Sequence, residues 1–343
     1  MDLDAFYVSV ELLRRPELRG RPVIVSGSGP RAVVTTASYE ARAFGVGSAM
    51  PASRARRLCP QAVVLAPDFE TYRRVSKTVM RLVTAAAETV EVMGLDEAYL
   101  DLSGLLSPKA EMRRLVAAIA REAGLGASIG IGPNKLVAKV ASDAEKPAGF
   151  VVLSRDQACA RFAGAPPALV PGIGPKTAAA LGEMGITTLG ALAGTPSERL
   201  AERFGARLGP WLVRRARFDD DAPVTAERIA VSESRETTFP ADISDAAQLE
   251  SILGRLSAEL SAALRGQGRR GRTIAIKVRL DDFSTFTRAR TLSEAVNDPD
   301  RIAGVARDLL REFAAPRPVR LLGVRVASFA EEEDGAGQLA LPV

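Results

Sequence analysis

Carboxylates stand in the strand-forming stretches of this chain, where burial makes them most costly. Asp2-Leu3-Asp4 opens a predicted strand, and that stretch alternates loosely to Val10 and runs into a helix over 9–13. Asp96-Glu97 sits at the bend of a hairpin between strands 90–92 and 98–102. In one sheet, Asp2, Asp96 and Glu97 converge from adjacent strands. Such groups are tolerated in an apolar setting only when paired or holding a cation. The 343 residues include no histidine, which removes Ser-His-Asp and Cys-His nucleophilic sites, histidine bases and most zinc hydrolase sites. Two cysteines, Cys59 and Cys159, make neither a disulfide framework nor a four-ligand zinc site. An oxygen-only site suits Mg²⁺ or Mn²⁺. Two such ions favour in-line phosphoryl or nucleotidyl transfer.

The periodicity around these residues is that of an α+β chain with several domains. Two β-branched runs, 21–25 and 32–36, flank Gly27, Gly29 and Pro30 and read as a hairpin. Helical spacing covers 52–58, 70–88, 109–123 and 134–144, and 128–132 is a short strand. The order suits a ferredoxin-like βαββαβ core with an insertion near its start. Ala165-Pro166-Pro167 reads as a linker, and 169–230 is helical and Arg-rich. After a second break at 219–223, residues 231–330 read strand, helix, strand, strand, helix, strand. Those strands are 232–238, 273–280, 285–292 and 319–329, and the helices 246–265 and 299–313. The tail 331–343 is polar and flexible and ends in an apolar tag.

Charge adds a polyanionic partner. The net charge is +5 and the isoelectric point about 9.4. Residues 261–290 hold eight Arg or Lys and two Asp, so +6 in thirty residues. Arg265, Arg269, Arg270 and Arg272 crowd a turn before a strand. Lys277 and Arg279 share a face by the two-residue period, as do Arg288 and Arg290. Such a face tracks a phosphate backbone without reading sequence. Upstream, Val170 to Leu181 resembles a helix-hairpin-helix. Its Gly172 and Gly174 let backbone N–H groups approach a DNA phosphate at a helix start, and Lys176 adds charge. No apolar run reaches the ~18 residues of a membrane span. The acidic start is no signal peptide, so the cytoplasm is expected.

Four motifs carry a family resemblance. They are Asp2-Leu3-Asp4-Ala5-Phe6-Tyr7-Val8-Ser9-Val10-Glu11, Ala37-Ser38-Tyr39-Glu40-Ala41-Arg42-Ala43-Phe44-Gly45-Val46, Gly94-Leu95-Asp96-Glu97-Ala98-Tyr99-Leu100-Asp101-Leu102, and Ile131-Gly132-Pro133-Asn134-Lys135-Leu136-Val137-Ala138-Lys139 running on to Lys146-Pro147. In this order they resemble the Y-family DNA polymerases, in their DinB or DNA polymerase IV branch. With the helix-hairpin-helix, the resemblance covers essentially the whole chain. It implies a right-hand polymerase: a ferredoxin-like palm at 1–10 and 67–164, small fingers at 11–66, a helical thumb at 165–230, and a four-stranded little-finger domain at 231–330.

The same resemblance assigns roles. Asp2, Asp96 and Glu97, with the Leu3 carbonyl, would hold two Mg²⁺ ions. Tyr7 would be the steric gate against a ribose 2′-hydroxyl. A strand there would put Phe6 and Tyr7 on opposite faces. Phe6, Tyr7, Thr36, Tyr39, Arg42 and Lys146 would bind the dNTP, the Arg fork and the Lys point charge taking phosphates. Glu40 and Asp101 are left as structural, and Asp4 either supports the metal ligands from behind or is structural. Gly172, Gly174, Lys176, Arg269, Arg270, Arg272, Lys277, Arg279, Arg288 and Arg290 would meet primer-template DNA. Gln338, Leu339 and Leu341 resemble a sliding-clamp peptide, with Pro342 in place of its aromatic residue. The implied activity is template-directed, low-fidelity translesion synthesis by a monomer. No segment reads as an exonuclease domain, so proofreading is not expected. Two departures stand out: a strand with only Met1 before Asp2 would hold Asp2 loosely, and Gly94 replaces a usual serine. Two other readings compete. A non-catalytic DNA- and clamp-binding relative typically lacks these carboxylates, and a helix-hairpin-helix nuclease needs a different acidic layout.

Overall fold

The structure, a computed structural model, describes residues 1–227 and 229–330. The chain divides into two compact units. The first holds Met1–Ser28 and Ala32–Arg228, and the second holds Gly29–Arg31 and the residues from Ile229 on. Among the described residues no helix is long and apolar enough to cross a membrane.

The strand that carries the first carboxylate is shorter than its alternation suggests. It spans only Asp2–Leu3, because Ala5 adopts left-handed backbone (φ 44°) and turns the chain straight into the helix Phe6–Arg14. That conformation costs an alanine roughly 1–2 kcal/mol. Three hydrogen bonds brace the turn: Asp4 N–H to Gly126 O (3.0 Å), Ser9 N–H to Ala5 O (2.9 Å) and Ser9 Oγ to Asp4 O (2.6 Å). Phe6 and Tyr7 are therefore successive helix positions, not opposite faces of a strand.

Two residues suffice because both edges of this strand are paired. On one side it runs antiparallel to Ala127–Ile131, which pairs parallel with Phe150–Val152. On the other, Asp2 forms an antiparallel bridge with Glu97. Leu3 N–H donates to Asp96 O (2.9 Å) and Ala98 N–H to Met1 O (3.1 Å). The hairpin Val90–Val92/Ala98–Leu100 is thereby joined to the sheet. With the helices Phe69–Ala86 and Pro108–Ala123 this is the expected βαββαβ order, extended by one parallel edge strand. The helical apolar stripes meet the sheet in one core: Tyr72, Val79, Val83, Met112, Leu115 and Ile119 pack with Leu3, Phe6, Val10 and Ile129.

The insertion forms its own small sheet. Val23–Ser26 pairs antiparallel with Val34–Ala37, as the hairpin reading expects, and parallel with Val63–Leu65. The helices Tyr39–Arg42 and Ala52–Leu58 complete this part.

The helix Lys135–Asp143 is capped by the Asn134 side chain, which accepts from Val137 N–H. It lies backbone-to-backbone on the strand Ala127–Ile131. A Cβ at Gly130 would stand 2.0 Å from Ala138 O and 2.3 Å from Ser142 N. Its other face supplies Leu136, Val137 and Val140 to the core of the helical segment, which includes Ile173, Leu181, Leu192, Leu200, Leu212 and Phe218.

The second unit is a four-stranded antiparallel sheet. Its order is Thr285–Val296, Gly271–Leu280, Val319–Phe329, Ser232–Ile243. The helices Ala246–Gly266 and Pro299–Phe313 pack on the face carrying Ile274, Ile276, Val278, Leu280, Leu322, Val324 and Val326. Among the described residues, the other face carries no helix of this unit.

The seat at Gly130 gives a direct test. Gly130→Ala overpacks a contact between two backbones, which cannot yield by a rotamer change, and should cost about 3 kcal/mol. Urea unfolding followed by circular dichroism measures it; an unchanged midpoint would show that the helix does not depend on this approach.

Candidate active site

Asp2 is 6% exposed and both of its carboxylate oxygens are engaged. Lys139 Nζ lies 2.8 Å from Oδ2, and Lys146 Nζ lies 2.6 Å from Oδ1. Lys139 Nζ is also 2.8 Å from Glu97 Oε1, so one ammonium links the two bridged strands. Asp143 completes the group, 3.5 Å from Lys139 and 2.6 Å from Lys146. Burial opposes the charged form of Asp2, but hydrogen bonds from Lys139 and Lys146 outweigh it and hold its pKa below the ordinary value. Burial likewise opposes the charge on Lys139, and the bonds to Asp2 and Glu97 more than offset it, raising its pKa. Asp2 is therefore held firmly, not loosely as its position beside Met1 suggests.

Asp96 is different. It forms no ion pair among the described residues, and burial, followed by the charges of Asp2 and Glu97, pushes its pKa up to about 6. A half-buried carboxylate facing two others is chemically suited to a hard cation. As they stand, no three acidic side chains among the described residues are grouped to hold one ion. Lys139 occupies the space between Asp2 and Glu97. Gly94 is not sterically required, since a Cβ there would meet Asp96 Oδ1 at an ordinary 3.6 Å.

Asp4 is buried and faces neutral donors. It accepts from Ser128 Oγ (2.7 Å), Ala148 N–H (2.8 Å) and Tyr39 Oη (3.3 Å). These three bonds tie it to the sheet, the 146–149 turn and Tyr39. Asp101 accepts from Ser103 N–H in a local turn. Burial, then the Asp4 charge, raises Tyr39 to about 12. The Arg42 guanidinium lies 4.7 Å from the centre of the Tyr39 ring, and its Nε donates to Ala37 O. Its two terminal nitrogens make no hydrogen bond among the described residues. Thr36 is buried in the small sheet.

The two aromatic residues after Ala5 have separate fates. The Phe6 side chain is 2% exposed and belongs to the core. Tyr7 is partly exposed, and its ring packs 4.8 Å from Tyr72, 5.3 Å from Phe6 and 5.9 Å from Phe69. Burial, then Asp96, raises its pKa. Tyr72 is itself tied down by its hydroxyl to the buried Glu11 (2.8 Å). The Tyr7 ring is thus wedged at a fixed place close to the carboxylates.

At the glycine turn, Gly172 (φ 95°) is needed: a Cβ would meet Trp211 Cη2 at 2.6 Å. Gly174 caps the helix Pro175–Glu183, with Lys176 exposed on its first turn. The 3₁₀ turn Pro167–Leu169 stands immediately before the glycine turn, and the helix Arg155–Phe162 precedes both.

The basic strand residues do not share one face. Lys277 is opposite Thr287, whereas Arg288 is opposite Ile276 and Arg290 opposite Ile274. Facing residues of an antiparallel pair point to one side, so Arg288 and Arg290 lie on the helix side. There Arg290 pairs with Asp308 and Glu312, and Arg288 stacks 5.2 Å from the Phe313 ring. Lys277 and Arg279 lie on the open side, the first paired with Glu236 (2.9 Å). Arg269 stacks on Phe329, while Arg270 and Arg272 are exposed. Gln338, Leu339 and Leu341 lie outside the described residues.

The sequence reading missed Lys139 and Asp143. The first was quoted inside a motif but given no role. The available signal was the i,i+4 spacing of opposite charges on a helix following a Gly-containing strand.

Residues 1–143 match the impB/mucB/samB family, and residues 230–341 match the C-terminal domain of that family. The protein named DNA polymerase IV of Streptomyces coelicolor is 42% identical over 99% of this chain and 73% of its own length. That of Methanoculleus marisnigri is 42% identical over 95% of this chain and 92% of its own length. A solved Y-family DNA polymerase chimera superposes with a TM-score of 0.83 at 27% identity, covering 95% of this chain and 97% of that one. With both domains matched and relatives alike over nearly its full length, the chain belongs to the Y-family of DNA polymerases, in the DNA polymerase IV branch.

Proposed function

We propose that the chain extends a primer on a DNA template by two-metal nucleotidyl transfer, as a translesion polymerase of low fidelity without proofreading. The observation that carries this reading is the bridge that sets Glu97 beside Asp2, with the half-buried Asp96, in no ion pair among the described residues, next to them. In this reading residues 1–10 and 67–164 are the palm, 11–66 the fingers, 165–230 the thumb and 231–330 the little finger. Asp2, Asp96, Glu97 and the Leu3 carbonyl are the ligands of two Mg²⁺ ions, an all-oxygen set that fits that ion. When bound, such ions acidify a primer 3′-hydroxyl and offset charge on a triphosphate and leaving pyrophosphate.

The remaining work falls to this chain's side chains. Arg42, stacked on Tyr39 and with its terminal nitrogens in no hydrogen bond among the described residues, presents a fork to triphosphate oxygens. Lys146, now on Asp2 and Asp143, supplies a second cation at the same end of the sheet. The Phe6 side chain is core, so its contribution to dNTP binding is through the backbone. Tyr7, wedged against Tyr72 and Phe69, presents a rigid ring to the sugar. Gly172, Gly174 and Lys176 meet a DNA phosphate at a helix start. Lys277 and Arg279 on the open sheet face, with Arg269, Arg270 and Arg272, track the backbone. Arg288 and Arg290 brace the helix side instead. The accessory-protein reading is disfavoured because all three carboxylates are present.

Three experiments test these roles. Asp96→Ala with Glu97→Ala should lower primer extension with Mg²⁺ and dNTPs by at least about three orders of magnitude while DNA binding persists; undiminished extension would falsify the carboxylate site. Tyr7→Ala should raise ribonucleotide incorporation roughly 100-fold, scored by alkali-sensitive sites in the product, and an unchanged ratio removes the gate. Arg279→Ala should reduce the slope of log affinity against log salt by about 1. Arg290→Ala should leave that slope as it is, and equal effects from both would contradict the two-face assignment.

A further inference from the structure

We propose that Lys139 is an exchangeable counterion: it leaves Asp2 and Glu97 when a divalent cation enters, and Asp143 is the carboxylate that receives it. The inference rests on the reading of Asp2, Asp96 and Glu97 as cation ligands. Lys139 Nζ touches two of those three groups, Asp2 Oδ2 and Glu97 Oε1, each at 2.8 Å. An ammonium and a divalent ion cannot both sit there, because like charges at such range repel strongly in a partly buried site. One of them must withdraw.

Lys139 has a place to go. Asp143 lies one helical turn further on the same face, and its Oδ2 is 3.5 Å from Lys139 Nζ. The Asp143 side chain is 42% exposed, so it can take an ammonium without the desolvation that Asp2 imposes. Lys146 already holds the other Asp143 oxygen at 2.6 Å, whereas the Lys139 contact is long and has slack to close. The movement is confined to the lysine's flexible stem. The helix cannot retreat as a body, because the approach at Gly130 seats its backbone on the strand. Asp143 thus acts through Lys139 as a positioning residue.

The test is Mn²⁺ binding to the full chain without DNA or nucleotide, with free Mn²⁺ read by electron paramagnetic resonance. Lys139→Gln should tighten binding about 10-fold, and Asp143→Asn should weaken it about 5-fold. In the Lys139→Gln background, Asp143→Asn should change affinity less than about twofold, a coupling that a merely structural role would not produce. Lys139→Arg keeps the charge and should stay within about twofold of wild type. Binding no tighter in Lys139→Gln overturns the proposal, as does an equal Asp143→Asn effect in both backgrounds. If thermal melts show that Asp143→Asn does not fold, Lys139→Gln against Lys139→Arg decides: tightening in both rejects a charge effect, and tightening in the first alone supports it. Asp96→Asn with Glu97→Gln is the control. Mn²⁺ affinity unchanged in that variant removes the carboxylate site itself, and the inference with it.

Discussion

Two lysines hold together one end of a sheet that its own carboxylates would otherwise push apart. Asp2, Glu97 and Asp143 share Lys139 and Lys146, while Asp96 stands among them in no ion pair among the described residues. Removing a charged group from water costs several kcal/mol unless partners replace the solvent. The strand at the centre has two residues and cannot resist that cost alone. It holds because neighbours pair with it on both edges and because Gly130 lets a whole helix settle onto the next strand. The helix brings Lys139 and the turn after it brings Lys146, and the lysines permit the carboxylates.

Two acidic residues on either side of Leu3 meet opposite fates for a clear reason. Asp2 faces ammonium groups. Asp4, past the end of the strand, is filled by a serine hydroxyl, a backbone N–H and a tyrosine hydroxyl. Neutral donors that saturate a carboxylate leave it little capacity for a metal, so Asp4 fastens Tyr39 and the 146–149 turn to the sheet. Ala5 makes the division possible: its left-handed turn ends the strand before Asp4 can continue it.

Much of this was readable in the residues. The absence of histidine and the spacing of Asp2, Asp96 and Glu97 already pointed to oxygen-ligand chemistry. The stripe Met112, Leu115, Ile119 and the runs at 23–25 and 34–36 gave their elements type and place, because burying one face imposes its own period. The short strand read from Asp2 into a helix at 9–13 is shorter still, Asp2–Leu3, and the helix starts earlier, at Phe6. Loose alternation cannot reveal a single left-handed alanine. The two-residue period likewise paired Lys277 with Arg279 and Arg288 with Arg290, but it is silent on whether the pairs share a side. Register decides that, and one step reverses it.

By itself, then, the sequence determined which groups carry charge, which stretches are helix or strand, and which family the motifs belong to. These follow from local chemistry and spacing along the chain. Only the tertiary structure decided that Lys139 joins Asp2 to Glu97, that Asp143 waits one turn away, that Tyr7 rather than Phe6 is left accessible, and that Arg290 faces a helix. Each depends on a contact between residues far apart in the chain or on strand register, and no window of sequence contains the packing that sets it.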